Sequence, residues 1–360
     1  MNIGILTYYG VHNHGAVLQA NALKSFLVNR GHDVSFLTFE RNYDFIPPKN
    51  AKKYKGGISS IPFYFKYVFE KGVPNITYNY KKSQILNKYR DRELPLGKKY
   101  DEFNGDLVII GSDEVFSLEI GFNPCLYGIG VNVSNIISYG GCFGPTTIED
   151  VKEKSLSEKI TKGLSRFRAI SVRDGNSQRV IKQLTNMEST LVCDPVILYG
   201  YEKEMCSFIP KEKDYIVLYA YDRSMQDKNE IEAIKTFAKK HNKKIYSVAY
   251  HHNWCDKNIQ ATPNELLGWI KNADCVITDT FHGTVLSIIC NTSMIVKIRN
   301  NANKLKYLLK EYKLENRIIN DFSSIDQVFS KTIDFEEVNS LISERRNLSM
   351  KFLNDELDNI

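Results

Sequence analysis

Apolar and polar positions alternate along this chain in a recurring order: a short apolar run, a polar turn, a helical stripe, then another apolar run. Residues 3–6 form the first run, followed after Thr7 by the turn Gly10-Val11-His12-Asn13-His14-Gly15. Ala16, Ala20, Leu23 and Leu27 then recur at i, i+4, i+7 and i+11, which is one face of a helix. Gly31 stands where a helix C-terminal cap belongs. Residues 34–39 return as a second strand. An opening of strand, turn, helix and strand begins a doubly wound α/β domain.

The order continues downstream. Predicted strands 107–110, 136–139, 169–172 and 191–193 end in Gly111-Ser112-Asp113, Gly140-Gly141, Arg173-Asp174-Gly175 and Asp194-Pro195. Residues 196–213 carry no period and read as a crossing between domains. Beyond it lie predicted strands 215–219, 244–248, 275–278 and 294–298, with helices 229–240, 265–272 and 283–290. The pattern predicts an α/β protein with one Rossmann-like domain over 1–200 and a second over 214–320. Residues 321–360 read as a helical segment packing back on the first domain. Ligands of such folds gather beyond the carboxyl ends of the strands, where every polar motif named here lies.

Composition narrows the class. A chain of 360 residues, 42% hydrophobic and 25% charged, suits two globular domains. Its seven cysteines form no CxxC pair, and His251, His252 and Cys255 lack the second cluster a zinc site needs, so no metal is expected. Cysteines within apolar runs point to a reducing compartment. No stretch approaches the roughly 20 apolar residues of a membrane span, and no signal-type segment opens the chain, so a cytoplasmic protein is expected.

The net charge of +6 is unevenly spread. Between Lys49 and Arg92 stand eleven Lys/Arg against Glu70 and Asp91, a local +9 that leaves −3 for the remainder. A regional excess of this kind argues against general nucleic-acid binding. Within it, Ile61, Phe63, Tyr64, Phe65, Tyr67, Val68 and Phe69 are flanked by Lys49, Lys52, Lys53, Lys55, Lys81 and Lys82. Aromatics bordered by lysines suit peripheral contact with the inner membrane face, or a lipid diphosphate, at the cleft mouth. An amphipathic core helix with a solvated edge explains the same pattern.

Four constellations can carry chemistry. Thr278-Asp279-Thr280-Phe281-His282-Gly283-Thr284 places His282 at a helix start, beside unpaired N–H groups, with Gly283 admitting close approach. The plainer reading is a helix cap. Arg173, at a strand end, can clamp a carboxylate or phosphate, or pair structurally with Asp174 or another acid. Asp113 and Glu114 can accept a hydroxyl proton, or cap the next helix. Asn13, His14 and Gly15 can hold a phosphate or sugar, although glycine-rich turns are weak signals alone. Lys297 and Arg299 follow the strand after the His282 helix, and no Asp or Glu occurs from Phe281 to Lys310. A nucleotide-sugar transferase needs a carboxylate there for the ribose diol; its absence suits a small polyanionic donor. Solvated surface charge is the alternative for Lys297.

Taken together, these motifs resemble the polysaccharide pyruvyl transferase family. The carriers are Asn13-His14-Gly15-Ala16-Val17-Leu18-Gln19-Ala20, Gly111-Ser112-Asp113, Ser171-Val172-Arg173-Asp174, Asp194-Pro195 and Thr278 to Thr284, in order. The resemblance implies two Rossmann-like domains facing across a cleft, the GT-B-like arrangement of glycosyltransferases. It implies phosphoenolpyruvate as donor, a sugar diol on a lipid-linked acceptor, and a pyruvate ketal of a bacterial surface polysaccharide as product, with no cofactor. Arg173, His282, Gly283, Arg299 and Lys297 would bind the donor, and Asn13, His14, Gly15 and Asp113 the acceptor. His282, Asp113 and Glu114 would move protons. Glu114-Val115-Phe116 departs from the Gln-Val-Trp often found there, and His14 from the usual aromatic or small residue. Competing readings are a nucleotide-sugar glycosyltransferase on the same scaffold and a non-catalytic polysaccharide-assembly protein.

Overall fold

The computed structural model describes residues 1–46, 61–299 and 302–360, with the backbone alone for 61–71 and 302. Strands β1 (Asn2–Leu6), β2 (Asp33–Thr38), β3 (Leu96–Lys99), β4 (Leu107–Ile110), β5 (Ile136–Gly141), β6 (Ala169–Val172) and β7 (Thr190–Leu191) form one parallel sheet. Its order is β3-β2-β1-β4-β5-β6-β7. Strands β8 (Tyr215–Tyr219), β9 (Lys244–Val248), β10 (Lys257–Ile259), β11 (Cys275–Thr278), β12 (Met294–Lys297) and β13 (Ile318–Ile319) form the second, in the order β10-β9-β8-β11-β12-β13. Each sheet reverses direction between its first and fourth strands, β1/β4 and β8/β11, and such reversals open the ligand crevice of doubly wound folds.

Period-2 alternation explains how the two sheets come together. Ile3, Ile5, Leu107 and Ile109 of the first sheet share one apolar cluster with Tyr215, Val217, Tyr219, Val276, Met294 and Val296 of the second. The intervening residues point the other way. Leu6, Val108 and Ile110 enter a cluster of the first domain, and Ile216, Leu218, Ile277 and Ile295 a cluster of the second. The seam between domains is therefore core, and the helices His14–Val28, Pro195–Tyr199, Pro263–Lys271 and Phe281–Ile289 all pack in it.

Three segments differ from expectation. The crossing over 196–213 is partly a buried five-residue helix, Pro195–Tyr199, too short to display a helical period. The short strands β3, β10 and β13 were not predicted; β3 reads Leu-Gly-Lys-Lys and has no apolar run. The long helix Ile61–Glu93 breaks at Gly72, where φ is 72°.

Beyond that break the helix straps the two domains. Tyr78 Oη donates to Ile259 O at 2.5 Å, Asn79 to Asp222 at 3.1 Å and Tyr89 Oη to Asn264 at 3.0 Å. Lys82, counted above with the basic surface, is buried, its Nζ 4.6 Å from the Tyr250 ring centroid. The aromatic run 61–69 and its lysines at 49–55 lie outside the described side chains. No helix of the described residues is long and apolar enough to cross a membrane.

The C-terminal helix Phe335–Asp358 packs on the first domain: Cys193 N donates to Ser349 Oγ at 2.9 Å and Arg346 Nε to Ile197 O at 2.6 Å. It also reaches the second domain, through Arg345 and Glu311 at 2.7 Å.

Candidate functional site

The crevice is built from the carboxyl ends of β4, β6 and β11 and the turn after β7. Gly111 leaves β4 at φ 119°, and a Cβ there would strike Tyr139 O, so only glycine fits the turn. The turn swings Asp113 toward Arg173, which follows β6. Arg173 Nη2 donates to Asp113 Oδ1 at 3.2 Å and Nη1 to Asp194 Oδ2 at 2.8 Å. The Arg173 side chain is 1% exposed, and its Cζ lies 4.4 Å from the Phe281 ring centroid. Its sequence neighbour Asp174 faces elsewhere, accepting from Ser177 N at 2.8 Å to cap the helix Gly175–Thr185. Burial opposes the charge on both partners of the Arg173–Asp113 pair, and the pairing outweighs it. Arg173, with His282 and Lys304, holds the Asp113 carboxyl below the usual carboxylate range, and the surrounding carboxylates hold the guanidinium above its ordinary value.

His282 enters from the second domain, in the first turn of the helix Phe281–Ile289, which Thr280 caps by accepting from Gly283 N at 2.9 Å. The ring lies against the Cα of Gly15, where any Cβ would collide with it. Gly283 is equally confined, by the hydroxyls of Thr278 and Thr280. His282 Nε2 stands 3.9 Å from Asp194 Oδ2, beyond hydrogen-bond reach, and has no partner among the described residues. Burial draws the imidazole below its ordinary pKa; Asp194 and Asp113 pull it up, while Arg173 and Lys304 add to the lowering. The ring thus holds its proton less firmly than a free imidazole, and Nε2 stays unpartnered in the cavity wall.

In front of His282 lie two adjoining cavities of about 240 and 230 Å³, sharing Glu114, Glu119, Tyr221, Phe281 and Lys304. The first also takes in Tyr8, Asn13, Arg41, Asp113 and Ser117. Lys304 bonds Glu114 across the cleft, joining the domains by an ion pair. Arg41 lies over the Tyr8 ring, 4.2 Å from its centroid.

Asp113, Glu114, Asn13 and His282 therefore line one space, with Arg173 directly beneath it and Gly15 against the His282 ring. Other sequence candidates fall outside. His14 is buried in the seam with Nε2 2.8 Å from Ala261 O, and burial pulls its pKa down to about 4. Arg299 is held by Asp279 at 2.7 Å and Glu230 at 2.9 Å, and Lys297 reaches Asn320 O. Neither lines the cavities. His252, set aside above as a metal ligand, bonds Ser247 Oγ at 2.8 Å.

Arg41, Glu119, Tyr221 and Lys304 line the cavities without having been singled out from sequence. Lys304 carried one signal: it is a cation in the acid-free stretch after the His282 helix.

The polysaccharide pyruvyl transferase family model matches residues 13–301. The chain belongs to this family. All four site strand ends of this family member fall within the matched span, while Tyr8 and Lys304 of the cavity lining lie just outside it. No curated protein matches the sequence. Among solved structures, the chain is similar to trehalose-6-phosphate synthase OtsA at 10% identity, with 99% of each chain covered and a TM-score of 0.55. It is also similar to the UDP-N-acetylglucosamine 2-epimerase of Rickettsia bellii at 11% identity, covering 99% of this chain and 96% of the other, with a TM-score of 0.51. At such identities the likeness is one of fold: two parallel α/β domains in the GT-B arrangement of glycosyltransferases.

Proposed function

We propose that this chain transfers the enolpyruvyl-derived group of phosphoenolpyruvate to two hydroxyls of a sugar, forming a pyruvate ketal in polysaccharide biosynthesis. The observation that carries this reading is His282, buried beside Arg173 with Nε2 unpartnered, in the wall of a cavity edged by Lys304 and Arg41. A donor bearing a carboxylate and a phosphate suits such a site, because its charge supplies what the neutral imidazole lacks. Placed against the ring, the donor offsets burial and raises the His282 pKa, so the ring takes up a proton. That proton then goes to the donor's methylene carbon while a sugar hydroxyl attacks the adjacent carbon.

Arg173 acts as a positioning residue in this scheme. Its Nη1 and Nη2 bond Asp194 and Asp113, holding both acids near His282 while Nε stays unpartnered among the described residues, and Lys304, Arg41 and the imidazole meet the donor's anionic groups. The second domain, with Arg41 of the first, becomes the donor side, and the β1 and β4 turns of the first the acceptor side.

The test is calorimetric binding of phosphoenolpyruvate against UDP-sugars, followed by phosphate release with lipid-linked sugars and mass detection of the ketal. Phosphoenolpyruvate binding together with a product heavier by the pyruvate ketal is expected. Binding of UDP-sugar alone would overturn the reading.

A further inference from the structure

We propose that Glu119 is the base that takes the proton of the attacking sugar hydroxyl, which rests on the ketal-forming reading above. Three acids line the paired cavities: Asp113, Glu114 and Glu119. Two are committed to cations, Asp113 to Arg173 at 3.2 Å and Glu114 to Lys304. A carboxylate neutralised in this way makes a poor base, because its cation must be given up as the proton arrives. Glu119 differs. Its carboxylate has no hydrogen-bond or ion-pair partner among the described residues, and its side chain is exposed where both cavities open. A sugar entering from solvent meets Glu119 before it reaches His282.

The electrostatic surroundings agree. Partial burial, with repulsion from Glu114, raises the Glu119 carboxyl above the usual range against a smaller pull from Lys304. Such a shift moves a carboxylate toward the operating pH, where a general base works best. Glu119 comes before no helix it could cap; it follows the β4 turn by a short loop and is positioned by Leu118, whose N–H donates to Thr146 Oγ1 at 2.9 Å.

The first hydroxyl oxygen bonds to C2 of phosphoenolpyruvate, its proton passes to Glu119, and the C2–C3 double-bond pair takes a proton from His282 at C3. The second hydroxyl oxygen then bonds to C2, the bond from C2 to the phosphate oxygen breaks, and phosphate departs with that hydroxyl's proton. Glu119 releases its proton to water, and His282 is reprotonated for the next donor.

The experiment uses the full chain, phosphoenolpyruvate and p-nitrophenyl glycosides carrying a free 4,6-diol. Phosphoenolpyruvate affinity is read by calorimetry, and acceptor-dependent phosphate release by pH–rate profile. E119Q should bind phosphoenolpyruvate as the wild type does. It should lose on the order of 10²–10⁴-fold in acceptor-dependent kcat/KM, together with the acid limb of the profile. E119D should recover part of the rate and the limb, and E114Q should keep the limb. An active wild type beside an E119Q variant of equal rate and unchanged profile would overturn this proposal alone. So would loss of the acid limb in E114Q and its survival in E119Q. A wild type that binds no phosphoenolpyruvate would overturn the donor reading, and this proposal with it.

Discussion

Two buried histidines, one in the domain seam and one at the cavity, show how differently the same side chain is used. His14 is 1% exposed and His282 8% exposed, and burial lowers the pKa of both. His14 spends Nε2 on the carbonyl of Ala261, across the seam, and buries Nδ1 without a hydrogen-bond partner in packed core. His282 leaves Nε2 without a partner, beside Asp194 and Asp113, on a residue that lines a cavity. A buried polar atom without a partner costs about 1–3 kcal/mol in either histidine, and only at His282 does a cavity lie against the ring. Burial alone therefore does not separate a structural histidine from a functional one. What separates them is whether the ring lines a cavity.

The two histidines differ most at Arg173, which holds the acids around His282 and has no counterpart near His14. Arg173→Met should lower stability by about 3–5 kcal/mol, because Asp113 and Asp194 are left buried and uncompensated. Chemical denaturation measures it. A loss below about 1 kcal/mol, the worth of an exposed pair, would mean the network is far wetter than its geometry implies.

His282→Ala should keep the fold and reduce phosphate release by on the order of 10²–10³, the usual effect of deleting one preorganised charge stabiliser. His282→Gln refines the result, since an amide can hydrogen-bond phosphate but delivers no proton. Donor binding retained with turnover lost assigns the proton role. Wild-type turnover in the Ala variant, with the true acceptor, would cancel the contrast with His14.

His14 should reveal itself in stability against pH. Its folded pKa of about 4 lies below the unfolded value near 6.5, so between these values the unfolded chain binds more protons. The stabilisation is complete above pH 6.5 and is lost as pH falls toward 4, at most on the order of 3 kcal/mol. Buried His252, also drawn down to about 4, adds to the same slope. His14→Phe should flatten part of it in melting curves; an unaltered slope would show that the seam admits water.

The smallest effect is the most discriminating. Phosphoenolpyruvate binding near neutral pH should take up a fraction of a proton at His282, visible as a binding enthalpy that varies with the buffer's ionisation heat. His282→Gln should abolish that dependence, and His14→Phe should leave it intact. A dependence that survives in His282→Gln would place the proton on another group.

Much of this architecture was legible in advance because its signals are local. Apolar runs such as Leu107-Val108-Ile109-Ile110 announce parallel strands buried on both faces, and the turns that follow them announce the ligand edge. The helix start at Thr278 to Thr284 was visible for the same reason, although Thr280 and not His282 caps the helix that begins there. The edge strand β3 and the strands β10 and β13 at the edges of the second sheet escaped notice because a short strand with one neighbour needs little apolar surface. The burial of Lys82 also escaped, since only the approach of the second domain covers it.

Pairings across long separations were beyond any local pattern. Asp174 is adjacent to Arg173, yet Arg173 bonds acids 60 and 21 residues away, while Asp174 turns to its own helix. Lys304 finds Glu114 across 190 residues. Periodicity and turn chemistry are properties of neighbouring residues, so they survive in the unfolded chain and can be read there. The partner of a charge depends on which loops the strand order brings to one crevice, and on how much water the closed seam removes. Those quantities exist only once both sheets have packed, which is why the chain announced a strand-edge site with Arg173 and His282 but gave no sign that Glu119 would stand there unpaired.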